Sequence, residues 1–466
     1  MGKKKLLVII GVLVAVNFIV GMSVLGKLSE SESDSKALEK LDLIPQAISI
    51  IRNNYVDAVD TEKLVYGALR GMADALDLHS QFMDIPDVKN LEVDTSGTFG
   101  GLGIEITKRE GFVTVVSAIF GTPAYKKGLM AGDRIVKIDD ETLHNPDLND
   151  VVSKLRGEPG TDVVLTVLRG QGTIKTFTLT RAIIKVPSIV ESKVLEDSIG
   201  YVKVTQFQEG TPLELHERLN DLEQQGIDSL ILDLRDNPGG LLVSAVKVAD
   251  LFLPGGHVIV STKGRQRTQS QTFTSEDPGT HKMYPMAVLI NNASASGSEI
   301  VAGAIKDLKR GVVIGDRSYG KGSVQTILRL GQGLAIRLTT AKYYTPNGTS
   351  IQDIGVEPNV TVKVTLEEEM QRRLQKYKTM EEALGEEKEK PEEETEKPSA
   401  KEETLPLTQK ELEELTGKKP EKEEFVDQPL QRAIEILKAL KAVGVDKVAS
   451  LAPGKAVEPS PEEKGE

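Results

Sequence analysis

Three stretches of this 466-residue chain place residues suited to acyl chemistry where a strand should give way to a turn. In NNASASGSEIVAGAIKD (291–307), the apolar run 286–290 leads into small residues and then a helix whose first turn holds Glu299. A serine at such a junction exposes its hydroxyl beside the unpaired N–H groups of a helix start, which can stabilise an oxyanion. Ser294, Ser296 and Ser298 compete for that role, and Ser298 followed by Glu299 equally suits a helix N-cap. On spacing alone, each hydroxyl is better explained as structural.

A serine hydroxyl is a weak nucleophile and needs a base. None of the five histidines, His79, His144, His216, His257 and His281, falls in a comparable strand-end junction. Lys321 does, among the glycines of GDRSYGKGSVQ (315–325). To act as a base its pKa must fall from about 10.4 toward 7–8 through burial away from carboxylates. DLRDNPGG (233–240) is the third stretch, where the φ freedom of Asn-Pro-Gly-Gly lets backbone N–H groups face outward at the carboxyl end of a sheet. Taken alone it reads as a tight strand-to-helix turn.

Other chemistries fail on composition. The chain has no Cys, which excludes disulfides, thiol nucleophiles and Cys-ligated zinc, and the histidines have no metal-ligand spacing. No cofactor or metal is expected. A net charge of −12 removes the basic footprint of a nucleic-acid binder. Gly315, Gly320 and Lys321 nearly spell a phosphate loop, but Gly322 stands where Ser or Thr should ligate magnesium, and an extended run follows where a helix should start. An NTPase is a weak rival, testable by nucleotide-dependent thermal shift.

The elements that would position these stretches follow from periodicity. Three lysines precede an uncharged apolar run at 6–26, long enough to cross a bilayer, so a cytoplasmic start and an uncleaved anchor are expected. Residues 36–80 carry two amphipathic patterns, with Asp60–Thr61 suited to an N-cap. From 97 to 186, short β-branched runs separated by Gly, Pro and Asp form a small β-rich module with a helix near 148–155. Strand patterns at 199–205, 229–234, 258–261, 286–290 and 312–314 then alternate with helices near 212–225, 242–252 and 298–309, predicting parallel strands. A hairpin around 331–333 closes the region. Residues 381–403 hold 11 Glu against 4 Lys and should be disordered. A last helix, capped by Asp427, carries Leu430, Ile434, Leu437 and Leu440 in one stripe and should dock or dimerise.

Taken together, Gly-Leu-Gly-Ile in the β-rich module, DLRDNPGG, NNASASGSEIVAGAIKD, IGDRSYGKGSVQ and AKYYTPNGTSI resemble the carboxy-terminal processing proteases, over roughly residues 36–365. The resemblance implies an α/β fold: an α/β serine-peptidase core (crotonase-like) with an inserted PDZ domain, an N-terminal transmembrane helix and helical flanking segments. The domains would be 1–27 start and anchor, 28–96 N-terminal helical region, 97–186 PDZ domain, 187–365 peptidase core, 366–424 acidic disordered linker, and 425–466 C-terminal helix and tail.

By similarity to the family's S-A-S-A-S-E and G-K-G-S-V-Q motifs, Ser296 is the nucleophile, Lys321 the general base and Gln325 the residue orienting the lysine. The oxyanion site would be the backbone N–H groups of Gly297 and Gly239. Gly297 departs from the family's usual Ala, and extra backbone freedom there would at most slow the reaction. The PDZ carboxylate loop would be Gly101, Leu102, Gly103 and Ile104, with Ile104 and Ile106 starting the strand that pairs with a substrate's exposed C-terminus. The resemblance and the terminal helices imply a membrane-held, extracytoplasmic homodimer acting on polypeptides. A non-catalytic PDZ scaffold at the membrane is the rival from another class. Ser296, Lys321 and Gln325 argue against it, and digestion of an unfolded protein separates the two.

Overall fold

A computed structural model of the chain describes residues 40–365 except 110, 120, 171 and 277–280, together with 368, 371, 372 and 426–443. The expected anchor at 6–26 and nearly all of the acidic linker lie outside the described residues. Among the described residues no helix is long and apolar enough to cross a membrane.

The chain divides into two compact units, one joining residues up to 86 with 327–338, the other joining 87–326 with 339–466. In the first, α1 (Leu43–Asn54) buries none of its residues. Helix α2 (Thr61–Asp74) starts where the sequence placed it, with the Asp60 carboxylate accepting the Glu62 N–H at 2.8 Å. Strand β1 (Gln81–Met83) pairs antiparallel with 335–337, and Phe82 in its middle is fully buried.

In the second unit, α3 (Ile85–Ser96) leads through β2 (Thr98–Gly101) into the β-rich module. Its strands are β3 (Ile104–Arg109), β4 (Phe112–Ala118), β5 (Arg134–Ile138), β6 (Glu141–Thr142), β7 (Asp162–Arg169) and β8 (Thr173–Thr180). Helix α4 (Pro123–Lys127) follows β4, and α5 (Leu148–Leu155), N-capped by Asp147, precedes β7. The sheet order β3-β4-β5-β7-β8 leaves β3 as an edge strand. Val113, Ile135, Val163, Leu165 and Leu179 form an aliphatic core. Strand β9 (Ala182–Lys185) returns to pair with β2, so the module enters and leaves through one two-stranded neck.

The remainder is the α/β core. Its strands β10 (Ile189–Val194), β11 (Ile199–Val204) and β12 (Ser229–Asp233) are joined by α6 (Thr211–Gln224) after β11, and α7 (Leu242–Asp250) follows β12. Next come β13 (Val258–Gly264), β14 (Gln271–Thr274), β15 (Met286–Ile290), α8 (Gly297–Asp307) and β16 (Val312–Gly315). The hairpin β17 (Ser323–Gly331) and β18 (Leu334–Tyr344), then β19 (Val360–Thr361) and α9 (Gln428–Ala442), complete the chain. The main sheet has the order β10-β11-β12-β15-β16-β19, parallel throughout except for β10 at one edge.

Strands β11, β12 and β15 are buried at every position, as strands covered on both faces must be. Leu215, Leu219, Val248 and Val301 of α6, α7 and α8 cover one face. Ala433, Ile434 and Leu437 of α9 cover the other, against Ile199, Tyr201, Ile231, Ala287, Leu289 and Ile314. Each buried Leu or Ile contributes about 1.5–3 kcal/mol, so α9 docks within its own chain.

The expectation that 258–261 joins the parallel sheet fails. Strand β13 instead pairs antiparallel with β14 and with 341–344 of β18, and buries only part of its length. A short apolar run does not reveal its sheet, because periodicity is blind to pairing partners.

Candidate active site

The three stretches meet at the carboxyl ends of β12 and β15. Asn291 stitches two of them together: its Oδ1 accepts the Asp236 N–H at 3.0 Å and its Nδ2 donates to Asp236 Oδ1 at 2.9 Å. The Ala295 N–H donates to Asn237 O at 3.0 Å. These bonds sort the competing serines. Ser294 and Ser298 are fully buried, their hydroxyls donated to Leu234 O at 2.8 Å and Asn237 O at 2.9 Å. Ser296 alone of the three is partly exposed.

Ser298 is not the N-cap that its neighbour suggested. Helix α8 begins at Gly297, and its N-cap is Ser296 at φ 54°, ψ −108°. A non-glycine residue in that region is strained by about 1–3 kcal/mol and persists only where its surroundings over-determine it. Gly239, at φ 103°, packs directly beneath: a Cβ there would lie 2.7 Å from Ser296 Cβ and 2.9 Å from the Gly297 nitrogen. The Gly239 N–H is donated to Asn237 Oδ1 at 2.9 Å, so in this state one of the two expected oxyanion donors is shared within its own turn. Gly297 N–H is an orphan donor of the first turn of α8. A Cβ on Gly297 would lie 2.8 Å from the ring of the fully buried Phe207.

Glu299 holds the second loop to the first. Its fully buried carboxylate accepts the Ser296 and Lys321 N–H groups on Oε2, each at 2.8 Å. On Oε1 it accepts the Ser318 hydroxyl at 2.5 Å and the Gly320 N–H at 2.7 Å. Burial raises its pKa above the usual carboxylate range, opposed by those four bonds. Lys321 is partly buried. The Tyr343 phenol donates to the Lys321 carbonyl. Burial first, and Glu299 next, push that phenol far up, so it stays protonated. Gln325 binds Ser323 Oγ at 3.1 Å and Thr339 Oγ1 at 2.9 Å through Nε2.

Sequence reading gave Glu299 no more than a place in a first turn and gave Tyr343 no role. The signals were present, since Glu three residues after an N-cap is the spacing of a capping box and AKYYTPNGTSI was already singled out. The expected carboxylate loop is apart from these residues. Leu102 is buried, and its carbonyl accepts the Ala124 N–H at 3.1 Å. Gly103, at φ 75°, gives its carbonyl to the Ile119 N–H at 2.9 Å. Gly101 ends β2 and Ile104 starts the edge strand β3, whose Ile104 and Ile106 pack on the module core. Among the described residues no group of three or more His, Asp or Glu could hold a metal ion.

Comparison with known proteins matches residues 198–362 to peptidase family S41, 100–180 to the PDZ domain and 19–86 to the N-terminal domain of the activating protease CtpB. A carboxy-terminal-processing protease of Bartonella bacilliformis is 43% identical over 341 residues, covering 72% of this chain and 76% of the relative. The carboxy-terminal processing protease CtpB of Bacillus subtilis is 36% identical over 72% of this chain and 70% of its own. Among solved structures, a photosystem II D1 C-terminal processing protease aligns with 69% of this chain and 92% of its own, at 29% identity and a TM-score of 0.40.

Two outcomes follow from this geometry. Glu299→Gln puts a donor where the site offers only donors; peptide cleavage should fall at least roughly 100-fold, equivalent to about 2.7 kcal/mol, with a lower melting temperature. Cleavage within a fewfold of the parent would show that the carboxylate does not hold the two loops. Gly297→Ala gains helix propensity of about 0.4–1 kcal/mol but meets the Phe207 ring, at a cost of about 1–3 kcal/mol. Net destabilisation in a denaturant titration is expected, and a stabilised variant would contradict the contact.

Proposed function

This chain belongs to the carboxy-terminal processing proteases of peptidase family S41, serine-type peptidases carrying a PDZ domain, and from that we propose that Ser296 and Lys321 form its catalytic dyad. The observation that carries the reading is the sorting of the serines: Ser294 and Ser298 have spent their hydroxyls on buried carbonyls, while Ser296 is held strained and partly exposed at a helix start. The shared Glu299 carboxylate supports the pairing with Lys321.

Neutral Lys321 takes the proton of Ser296 Oγ as that oxygen bonds to the scissile carbonyl carbon. The tetrahedral oxyanion rests on the N–H groups of Gly297 and Gly239, the latter shared with Asn237; each donor is typically worth about 3–4 kcal/mol. The C–N bond then breaks, the lysine proton passes to the leaving amine, and an acyl-enzyme remains on Ser296. Water attacks the ester carbon, gives its proton to Lys321, and that proton returns to Ser296 Oγ as the acid departs. Gln325, in the strand that begins two residues after Lys321, is assigned by the family resemblance to orient the lysine, although its amide here bonds Ser323 and Thr339.

The PDZ module presents Gly101, Leu102, Gly103 and Ile104 ahead of the edge strand β3, which suits capture of a free C-terminus by strand addition. The uncharged run at 6–26 behind three lysines supports a single-pass anchor with the peptidase on the extracytoplasmic side. Helix α1 leaves Leu43, Ile50 and Ile51 exposed and buries none of its residues, which supports a homodimer through the N-terminal region.

Ser296→Ala and Lys321→Ala should each abolish cleavage of an unfolded protein while leaving the melting temperature nearly unchanged; full activity in either rejects the dyad. Substrates with an amidated C-terminus should be cut more slowly than their free acids. Equal rates would remove the carboxylate-reading role of 101–104.

A further inference from the structure

Behind the turn that carries Gly239 lies a set of buried and partly buried charged side chains that the reaction does not use. Asp233, the last residue of β12, is fully buried and accepts the Tyr201 hydroxyl at 2.7 Å, the Arg235 N–H at 2.9 Å and Arg235 Nη2 at 2.6 Å. Burial opposes the charge on Asp233, yet Arg235 and Lys203 hold its pKa well below the carboxylate range. Lys203 Nζ lies 3.8 Å from Asp233 and 3.9 Å from Asp236, and Arg372 pairs with Asp236. The far side of the Arg235 guanidinium, Nη1, donates to Asp427 Oδ1 at 2.7 Å. Asp233, Asp236 and Asp427 thus balance Lys203, Arg235 and Arg372.

Asp427 comes from 192 residues further along the chain. It is the N-cap of α9, its Oδ1 also accepting the Leu430 N–H at 3.2 Å. At its other end, Lys438 reaches Asp197 at 2.8 Å and Lys441 reaches Asp228 at 2.7 Å. Arg235 binds Asp233 through both its backbone N–H and its side chain, so one carboxylate links the guanidinium to the start of the turn that follows. That turn is fixed by Asn237 Nδ2 to Val204 O at 3.0 Å and ends in Gly239 against Ser296.

We propose that Asp427 is a positioning residue for catalysis: the C-terminal helix seats its capping carboxylate on Arg235 and thereby fixes the turn that sets Gly239 beneath Ser296. This rests on Ser296 being the nucleophile. Removing the carboxylate leaves a buried guanidinium short of an anion, which must be relieved by moving Arg235 or admitting water. Misplacement of a catalytic group by about 1 Å costs on the order of 100-fold in rate.

The test uses the full chain with an unfolded casein-like protein and a short reporter peptide. Asp427→Asn keeps an N-cap of equal quality and the packing of α9 but deletes the charge. It should lower kcat by about tenfold or more with KM within about twofold, while amide exchange at 433–437 stays as slow as in the parent. Asp427→Glu should recover a good part of the lost kcat. Unchanged kcat in Asp427→Asn, or a loss confined to KM, overturns the proposal; if Asp427→Ala unfolds, the Asn variant still decides. Ser296→Ala runs alongside. Cleavage by that variant removes the dyad and this proposal with it, whereas an inert Ser296→Ala beside a full-rate Asp427→Asn removes this proposal alone.

Discussion

One buried carboxylate ties two loops together at four points, reinforcing the direct bond from the Tyr319 N–H to the Ser294 carbonyl at 3.0 Å. Glu299 fills its acceptor sites with the Ser296 and Lys321 amides, the Gly320 amide and the Ser318 hydroxyl. The loops come from different strands, β15 and β16, and the Ser296 backbone is strained. Burying a charge costs several kcal/mol, and four charge-assisted bonds offset it without fully cancelling it, as the raised pKa of Glu299 records. The arrangement therefore spends stability to keep a nucleophile candidate and a lysine segment in fixed relation. A neutral side chain there could not accept four donors at once.

The layers explain why this happens at one end of the sheet. Parallel strands need cover on both faces, and α6, α7 and α8 on one side with α9 on the other provide it. Only the strand ends remain open to ligands, and at the carboxyl ends the chain must turn sharply into helices. Asn-Pro-Gly-Gly and Ala-Ser-Gly are such turns, and Asn237, Asn291 and the two buried serines bond to backbone groups in and beside them. The β-rich module leaves this order undisturbed because it enters and leaves through the β2–β9 neck.

Much of this was legible in the sequence, and the exceptions have physical causes. The strand-to-turn junctions were readable because small residues after an apolar run have few other uses. The α5 helix, the Asp60 cap, the final hairpin and the stripe on α9 followed from periodicity and capping. The partners of strand β13 did not, because pairing is a tertiary choice that a short apolar run does not encode. Nor did the choice among three serines, which rested on motif resemblance alone, since the carbonyls of Leu234 and Asn237 that occupy the other two hydroxyls lie some sixty residues upstream. The Asp427–Arg235 pair was invisible for the same reason, with 192 residues between its members.

The Gly297 position shows how a local reading can miss the deciding contact. Read as a departure from Ala, it suggested a looser oxyanion turn, because glycine adds backbone freedom. In the structure Gly297 is buried at the first position of α8, without the positive φ that would call for glycine. What calls for glycine is space: the Phe207 ring lies where a Cβ would be, with Ala245 Cβ 3.2 Å away on another side. The Phe207 N–H in turn donates to the Gly239 carbonyl at 2.9 Å and its carbonyl accepts the Leu241 N–H at 2.8 Å, so the backbone that carries the ring is fixed by the same turn that supports Ser296. The small residue at 297 and the large one at 207 thus act as one packing unit, and the freedom that glycine would bring to an open loop is removed by its neighbour.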